Sequence, residues 1–160
     1  MRGKIKLKHG EDYYVKVLLG ETKISEIMTP SPICLKQDDP FREVPHMFRE
    51  HHIRHLPVVD ASNKLVGLVS ERDLLRILPP RKIEDGSFYF DQDALEAIIL
   101  RHVMNKAPFY MHAEDPIGDC LIPFVEHKYG AIPIVDKDMV LCGIITPIDI
   151  LKVALQIYQE

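Results

Sequence analysis

The sequence predicts an α/β protein of the α+β kind, made of one β-α-β-β-α unit written twice. Three observations carry this. First, sliding the chain by 76 residues superposes Met28 on Met104, Pro32 on Pro108, Asp39-Pro40 on Asp115-Pro116, Phe48 on Phe124, Pro57 on Pro133, Asp60 on Asp136, Gly67 on Gly143 and Asp73 on Asp149, with no gap. A repeat of this length marks two copies of one supersecondary unit. Second, each copy holds two β-branched runs around a short polar turn, the pattern of a hairpin. Third, each second run ends on Ser70 or Thr146 ahead of an apolar helical stretch, where an N-cap belongs.

The elements follow in order. Residues 1–23 precede the repeat, and "YYVKVLLG" within them suits either an extra strand or an arm onto a partner. The units run over 24–78 and 100–160, with a linker at 79–99 that includes the start of a helix. "ICLK" and "FYMH" read as short strands. "DDPFREVPHMFREHH" and "EDPIGDCLIPFVEHK" read as helices, with Asp39 and Asp115 as N-caps and Pro40 and Pro116 at the first helical position. Pro45 lies near the first turn, whereas Pro123 lies further in and should bend or loosen its helix. "HLPVVD" with "LVGLVS", and "AIPIVD" with "LCGIIT", form the hairpins. "ERDLLRIL" and "PIDILKVALQIY" are the closing helices, the second opened by Pro147. In the linker, Pro79-Pro80 stops the first unit and "DQDALEAIILRHVM" restarts as a helix, capped by Asp91 or Asp93. One copy leaves an apolar sheet face open, and two copies packed together can bury it.

Composition narrows the function. The 160 residues are 46% apolar and 28% charged, ordinary for a folded domain. No run approaches the roughly 18 apolar residues of a membrane span. The N-terminal basic stretch lacks a long enough apolar core for a signal peptide, so a cytoplasmic location is expected. A net charge of −4 argues against a general nucleic-acid binder but leaves room for a small anion at a local basic cluster. Cys34, Cys120 and Cys142 form no C-x-x-C pair and read as buried reduced thiols. Four histidines lie within His46–His55, but their spacing misses the H-x-x-E-H zinc pattern, so no metal site is expected. There is no phosphate-binding P-loop and no nucleophile elbow, so no enzymatic activity is expected of this chain.

"ISEIMTPSPICL", "IRHLPVVD" and "LVGLVSERDLL", in that order, resemble a cystathionine-β-synthase (CBS) domain, and "LRHVMNKAPFYM", "GAIPIVD" and "LCGIITPIDIL" resemble a second. The resemblance covers everything from Ile24 onward. It implies a tandem pair, or Bateman module: two pseudo-twofold-related repeats, each a small three-stranded sheet with two helices, pairing into homodimers. It also implies a regulatory role, with clefts between the repeats for an adenosine-containing ligand: AMP, ADP or ATP first, NAD or S-adenosylmethionine as further candidates.

The residues fit that chemistry. A strand ending at a helix start points free N–H groups outward, which favours an anion. Asp73 and Asp149 stand three residues beyond Ser70 and Thr146, where a carboxylate can accept two hydrogen bonds from a ribose diol, the role the resemblance implies for them. The same Ser-x-x-Asp spacing is also that of an ordinary capping box. Gly67 and Gly143 fit either a close approach of ligand or backbone, or simple packing. Adenine contacts are expected around Thr29, Ile33, Asn105 and Phe109, and at Leu56-Pro57 and Ile132-Pro133. Arg54, His55 and Arg72 are the phosphate candidates; Gly130, Ala131 and Ile148 replace them in the second copy, so the two clefts should differ in anion affinity. A ligand-free dimerising scaffold is the alternative function.

Overall fold

In the computed structural model the described residues are 11–159, with no side-chain description for the first two of these. The elements in chain order are α1 (Glu11–Glu21), β1 (Thr29–Pro30), β2 (Leu35–Lys36), α2 (Glu43–Glu50), β3 (His55–Val59), β4 (Leu65–Ser70) and α3 (Glu71–Ile77), which complete the first half. The linker carries β5 (Arg81–Lys82), β6 (Phe88–Tyr89) and α4 (Gln92–Glu96). Then come α5 (Leu100–Val103), β7 (Met111–His112), α6 (Leu121–Val125), β8 (Ile132–Val135), β9 (Leu141–Ile145) and α7 (Pro147–Gln159). Each repeat is the expected strand–helix–strand–strand–helix.

The hairpins form where the alternation places them. β3 pairs antiparallel with β4, and β8 with β9, each with an irregularity at its last pair. β2 and β7 lie parallel on the far sides of β3 and β8. The duplicated aspartates build the turns. Asp60 Oδ1 accepts from the N–H groups of Ser62 and Lys64 at 2.8 and 2.9 Å. Asp136 Oδ1 does the same with Asp138 and Val140, also at 2.8 and 2.9 Å. The two turns then meet: Leu65 N–H donates to Met139 O at 2.9 Å and Leu141 N–H donates to Asn63 O at 3.0 Å. These bonds exchange corresponding positions of the two copies, as a twofold relation requires. Asn63 and Met139 sit in the left-handed region to make them, at φ 61° and 68°.

Several local expectations need correction. Asp39 and Asp115 do not cap helices. Their carboxylates accept from Lys36 and His112 N–H, at 2.7 and 2.8 Å, and close the turn after each short strand. α2 therefore starts at Glu43, which brings Pro45 into its first turn. In the second copy Pro116 precedes a 3-10 turn over Ile117–Cys120, and only five α-helical residues follow. That loosening is the expected effect of Pro123, whose missing N–H confines it to a first turn. "YYVKVLLG" is not a strand but lies within helix α1. The linker helix breaks in two; Asp91, not Asp93, caps α4 by accepting from Ala94 N–H at 3.2 Å. The β5–β6 hairpin was not anticipated, although its Asp85-Gly86 turn is a known hairpin signal and Gly86 takes φ 88°.

The larger departure from a simple tandem is an exchange of segments. β1, from the first copy, adds to the edge of the second copy's sheet, pairing Thr29 with Ile144 and Pro30 with Gly143. The second sheet thus has four strands, in the order β1-β9-β8-β7, and the first has three, β2-β3-β4. In return Asn105, from the second copy, exchanges both backbone hydrogen bonds with Leu68 at 3.0 Å. The cores follow the exchange. Leu100 is buried with Leu35, Phe48, Leu56, Val58 and Leu74 of the first copy. Ile24 is buried with Ile117, Ile132, Ile134 and Ile145 of the second.

The duplicated glycines mark where the exchanged segments cross. A Cβ on Gly67 would meet Met104 Sδ at 2.5 Å, and one on Gly143 would come against Met28 Sδ. The glycine of each copy therefore receives the methionine of the other, the same methionines that the 76-residue shift superposes. This is side-chain packing between the copies.

Candidate functional site

The end of β4 is the best-furnished junction. His55 pairs with Ser70 across β3 and β4, and Ser70 caps α3. Asp73 Oδ2 accepts from Ser70 N–H at 3.1 Å and from Ser70 Oγ at 2.6 Å, while Asp73 N–H donates back to Ser70 Oγ at 3.2 Å. Arg76 holds the other oxygen at 3.0 Å. The second copy repeats the frame: Asp149 Oδ2 accepts from Thr146 N–H and Oγ1 at 2.9 and 2.8 Å, and Lys152 donates to Oδ1 at 3.0 Å. Both aspartates therefore bond back to the residue that heads their helix. They differ in access: the Asp73 side chain is 25% exposed and the Asp149 side chain 7%.

The segment exchange decides which candidate residues meet. Asn105 lies beside Leu68, two residues before Ser70, and so joins Asp73 at the first junction. Thr29 lies beside Ile144 and joins Thr146 and Asp149 at the second. Leu56 and Ile132 are fully buried in the two cores, and Pro57 and Pro133 are buried beside them. Their strands are central and covered on both faces, so their side chains offer no slot wall in this conformation. Ile33 and Phe109 remain exposed. Phe109 stacks on Tyr129, with centroids 5.4 Å apart, and His127 stacks on the same ring at 5.6 Å. Tyr129 and His127 were not singled out from sequence; their aromatic character just before "GAIPIVD" was the available signal.

The phosphate candidates separate. Arg54 points toward Glu71, at 3.9 Å, and lines an outer cleft between helices. Arg72 is exposed and forms no ion pair among the described residues. His55 turns inward, against the second copy: a Cβ on Gly130 would meet His55 Nε2 at 2.5 Å. Gly130 is thus the floor for the His55 ring, which is why no side chain stands there.

Burial lowers the His55 pKa from its ordinary 6.5; nearby Asp73 opposes this, and Arg54 and Arg72 add to it. The folded state therefore binds the imidazole proton less readily than the unfolded chain does. The stability that follows is complete above about pH 6.5 and is lost as pH falls through the lowered folded value. Urea midpoints recorded from pH 7.5 to 5.5 should fall more steeply for wild type than for His55→Gln. Parallel curves would remove His55 as the cause.

The thiols are quiet. Burial pushes Cys120 up to about 12, and raises Cys34 and Cys142 as well. His46 pairs with Glu50 at 2.9 Å, and among the described residues no group of three potential ligands is arranged to hold a metal. No helix among the described residues is long and apolar enough to cross a membrane.

Comparison with known proteins gives three findings. The CBS-domain family model matches residues 24–80 and again 100–156. A homoserine O-acetyltransferase of Methanohalobium evestigatum is 28% identical over 87% of this chain, which spans only 25% of that protein's length. Among solved structures, an acetoin utilization protein (AcuB) from Vibrio cholerae superposes with a TM-score of 0.70 at 29% identity, covering 86% of this chain and 93% of that one. CBSX2 from Arabidopsis thaliana, in complex with AMP, superposes with a TM-score of 0.69 at 25% identity, covering 85% and 98%.

Proposed function

The chain belongs to the CBS-domain family and carries two copies of that domain, and on that premise we propose that it is a regulatory module that binds an adenine nucleotide, AMP, ADP or ATP, between its repeats. The first junction is the working site. Asp73 and Ser70 face the ribose, His55 and Arg72 the phosphate, and Asn105 with the exposed Phe109 the base. The observation that carries this reading is the meeting, at one helix start, of a reachable Asp73, an inward-turned His55 and an Arg72 with no ion pair among the described residues. The second junction, with Asp149 sealed and Ile148 in place of Arg72, binds weakly or not at all. The AMP complex of CBSX2 supports the ligand class. To bind a diol, Asp73 must give up part of its bonding to Ser70 or Arg76.

A second reading has its own support. The capping bonds already account for both aspartates, and the α6–α7 face of the second copy is bare: Ile122, Val125, Ile148, Leu151 and Leu155 are all exposed, Val125 by 67%. Apolar surface of this kind suits a dimerising scaffold.

Thermal unfolding against AMP, ADP, ATP, NAD, S-adenosylmethionine and GMP separates the two. A ligand at about 100 times its Kd adds roughly 2.7 kcal/mol, or about 5–10 °C at this size. The sensor reading expects that rise with an adenine nucleotide, abolished by Asp73→Ala and retained by Asp149→Ala. A flat panel, with the midpoint rising only with protein concentration, would establish the scaffold instead.

A further inference from the structure

Two thioethers sit where the exchanged segments cross, and we infer that Met28 and Met104 form a paired modification site, oxidised by peroxides to methionine sulfoxide. The 76-residue shift superposes the two methionines, and each lies over the glycine of the other copy. A Cβ on Gly67 would meet Met104 Sδ at 2.5 Å and Cγ at 3.0 Å. One on Gly143 would come against Met28 Sδ, with Cε and Cγ at 3.0 and 3.1 Å. Both methionine side chains are part-buried. Met104 packs on the apolar core of the first copy and Met28 on that of the second.

The chemistry favours these sulfurs over the thiols. A cysteine reacts with peroxide as its thiolate. Burial pushes Cys120 up to about 12 and raises Cys34 and Cys142 as well, so little thiolate is present near neutral pH. A thioether has no proton to lose and needs no ionisation. A lone pair on Sδ attacks one peroxide oxygen. The S–O bond forms as the O–O bond breaks, the proton on the transferred oxygen passes to the departing hydroxide, and water leaves. The sulfur is oxidised and the peroxide reduced. Met111 is closed to this step: it is 7% exposed, and the Cys120 thiol points at its sulfur from 3.8 Å. The product at Met28 or Met104 is a polar oxygen on a side chain packed against apolar residues. It arises beside a glycine that has no room for even one methyl group. The residue after each methionine carries the exchange. Thr29 pairs with Ile144, and Asn105 trades both backbone hydrogen bonds with Leu68 at 3.0 Å. Oxidation therefore loosens both crossings together, and reduction of the sulfoxides restores them.

The test treats wild type, the double variant Met28→Leu with Met104→Leu, and Met47→Leu with hydrogen peroxide. Dithiothreitol follows, to reverse sulfenic acids and disulfides while leaving sulfoxides in place. Peptide mapping should find one added oxygen at Met28 and at Met104 and none at Met111. The urea midpoint of wild type should fall by at least about 0.5 M, and hydrogen exchange at the Leu68 and Asn105 amides should quicken. Methionine sulfoxide reductases A and B together, one for each epimer, should reverse both changes. Leucine nearly conserves the volume of methionine, so the double variant should keep its midpoint through peroxide. Met47 is part-buried too, but no described glycine makes room for it, so Met47→Leu should stay as sensitive as wild type. An equal fall in the double variant and in wild type would overturn the inference. So would mapping that finds both sulfurs unmodified, or finds them modified with the midpoint and the amide exchange unchanged. Those two readings need only the wild-type protein, so they decide the matter even if the double variant does not fold.

Discussion

An alanine at Gly143 is expected to lower the unfolding free energy by about 1–3 kcal/mol, the usual range for overfilling a packed interior, and alanine at Gly67 to act in the same direction. Both glycines are buried, and in both cases the nearest atom is the thioether sulfur of a methionine from the other copy. At Gly143 the same residue also pairs with Pro30 of β1, so the strand exchange is strained together with the side chain. Urea denaturation measures the loss. Shortening the methionine should relieve it: Gly143→Ala combined with Met28→Ala should cost less than the sum of the two single changes, by roughly 0.5–3 kcal/mol. Strict additivity would mean that the thioether is not what the added methyl meets.

The second large effect is expected at Asp149. Its carboxylate is nearly sealed and accepts from Thr146 N–H, Thr146 Oγ1 and Lys152. Asp149→Ala strands the Thr146 N–H and hydroxyl in a half-buried place. Loss of a cap alone costs about 0.5–2 kcal/mol, and an unsatisfied buried donor about 1–3. A combined loss near the upper part of that range is expected in denaturant titration without any ligand. Asp73→Ala should cost less, because its side chain is 25% exposed and water can take over. Asp149→Asn should fall between, keeping an oxygen for Thr146 N–H while losing the charge toward Lys152. If Asp73→Ala proves the more damaging, the ranking by burial is wrong.

Much of this molecule can be read from its residues because its local signals are strong and agree with one another. Ser70 before "ERDLL", Pro147 opening α7 and Asp60 and Asp136 after β-branched runs each act within four residues of themselves. Asp39 was legible as a cap but not as the cap of a turn, since the same carboxylate can reach back to Lys36 or forward to a helix N–H. The exchange of β1 was not legible. A two-residue strand has no period to detect, and its partner lies at the far end of the chain. Gly67 and Gly143 could be seen to need closeness, but not that Met104 and Met28 supply it. At the site, position 54 in one copy and 130 in the other read as arginine against its loss. The structure gives the missing reason: the His55 ring occupies the space over Gly130. Leu56 and Ile132 read equally well as apolar slot walls or as core, and their fully buried side chains sit in the central strands.

The crossing of β1 bears on the order in which the chain assembles. The first sheet takes its return contact from Asn105, a modest distance along the sequence from Leu68, so it can close once α5 has been made. The second sheet takes its edge strand from Thr29 and its buried Ile24 from the same segment, synthesised long before β9 exists. Closing so long a loop carries an entropic cost that local pairing avoids. The segment made early is placed late, and until then both the edge of β9 and the Ile24 side chain stay uncovered. Folding should therefore run from the first copy to the second, with the N-terminal segment docking in the last step.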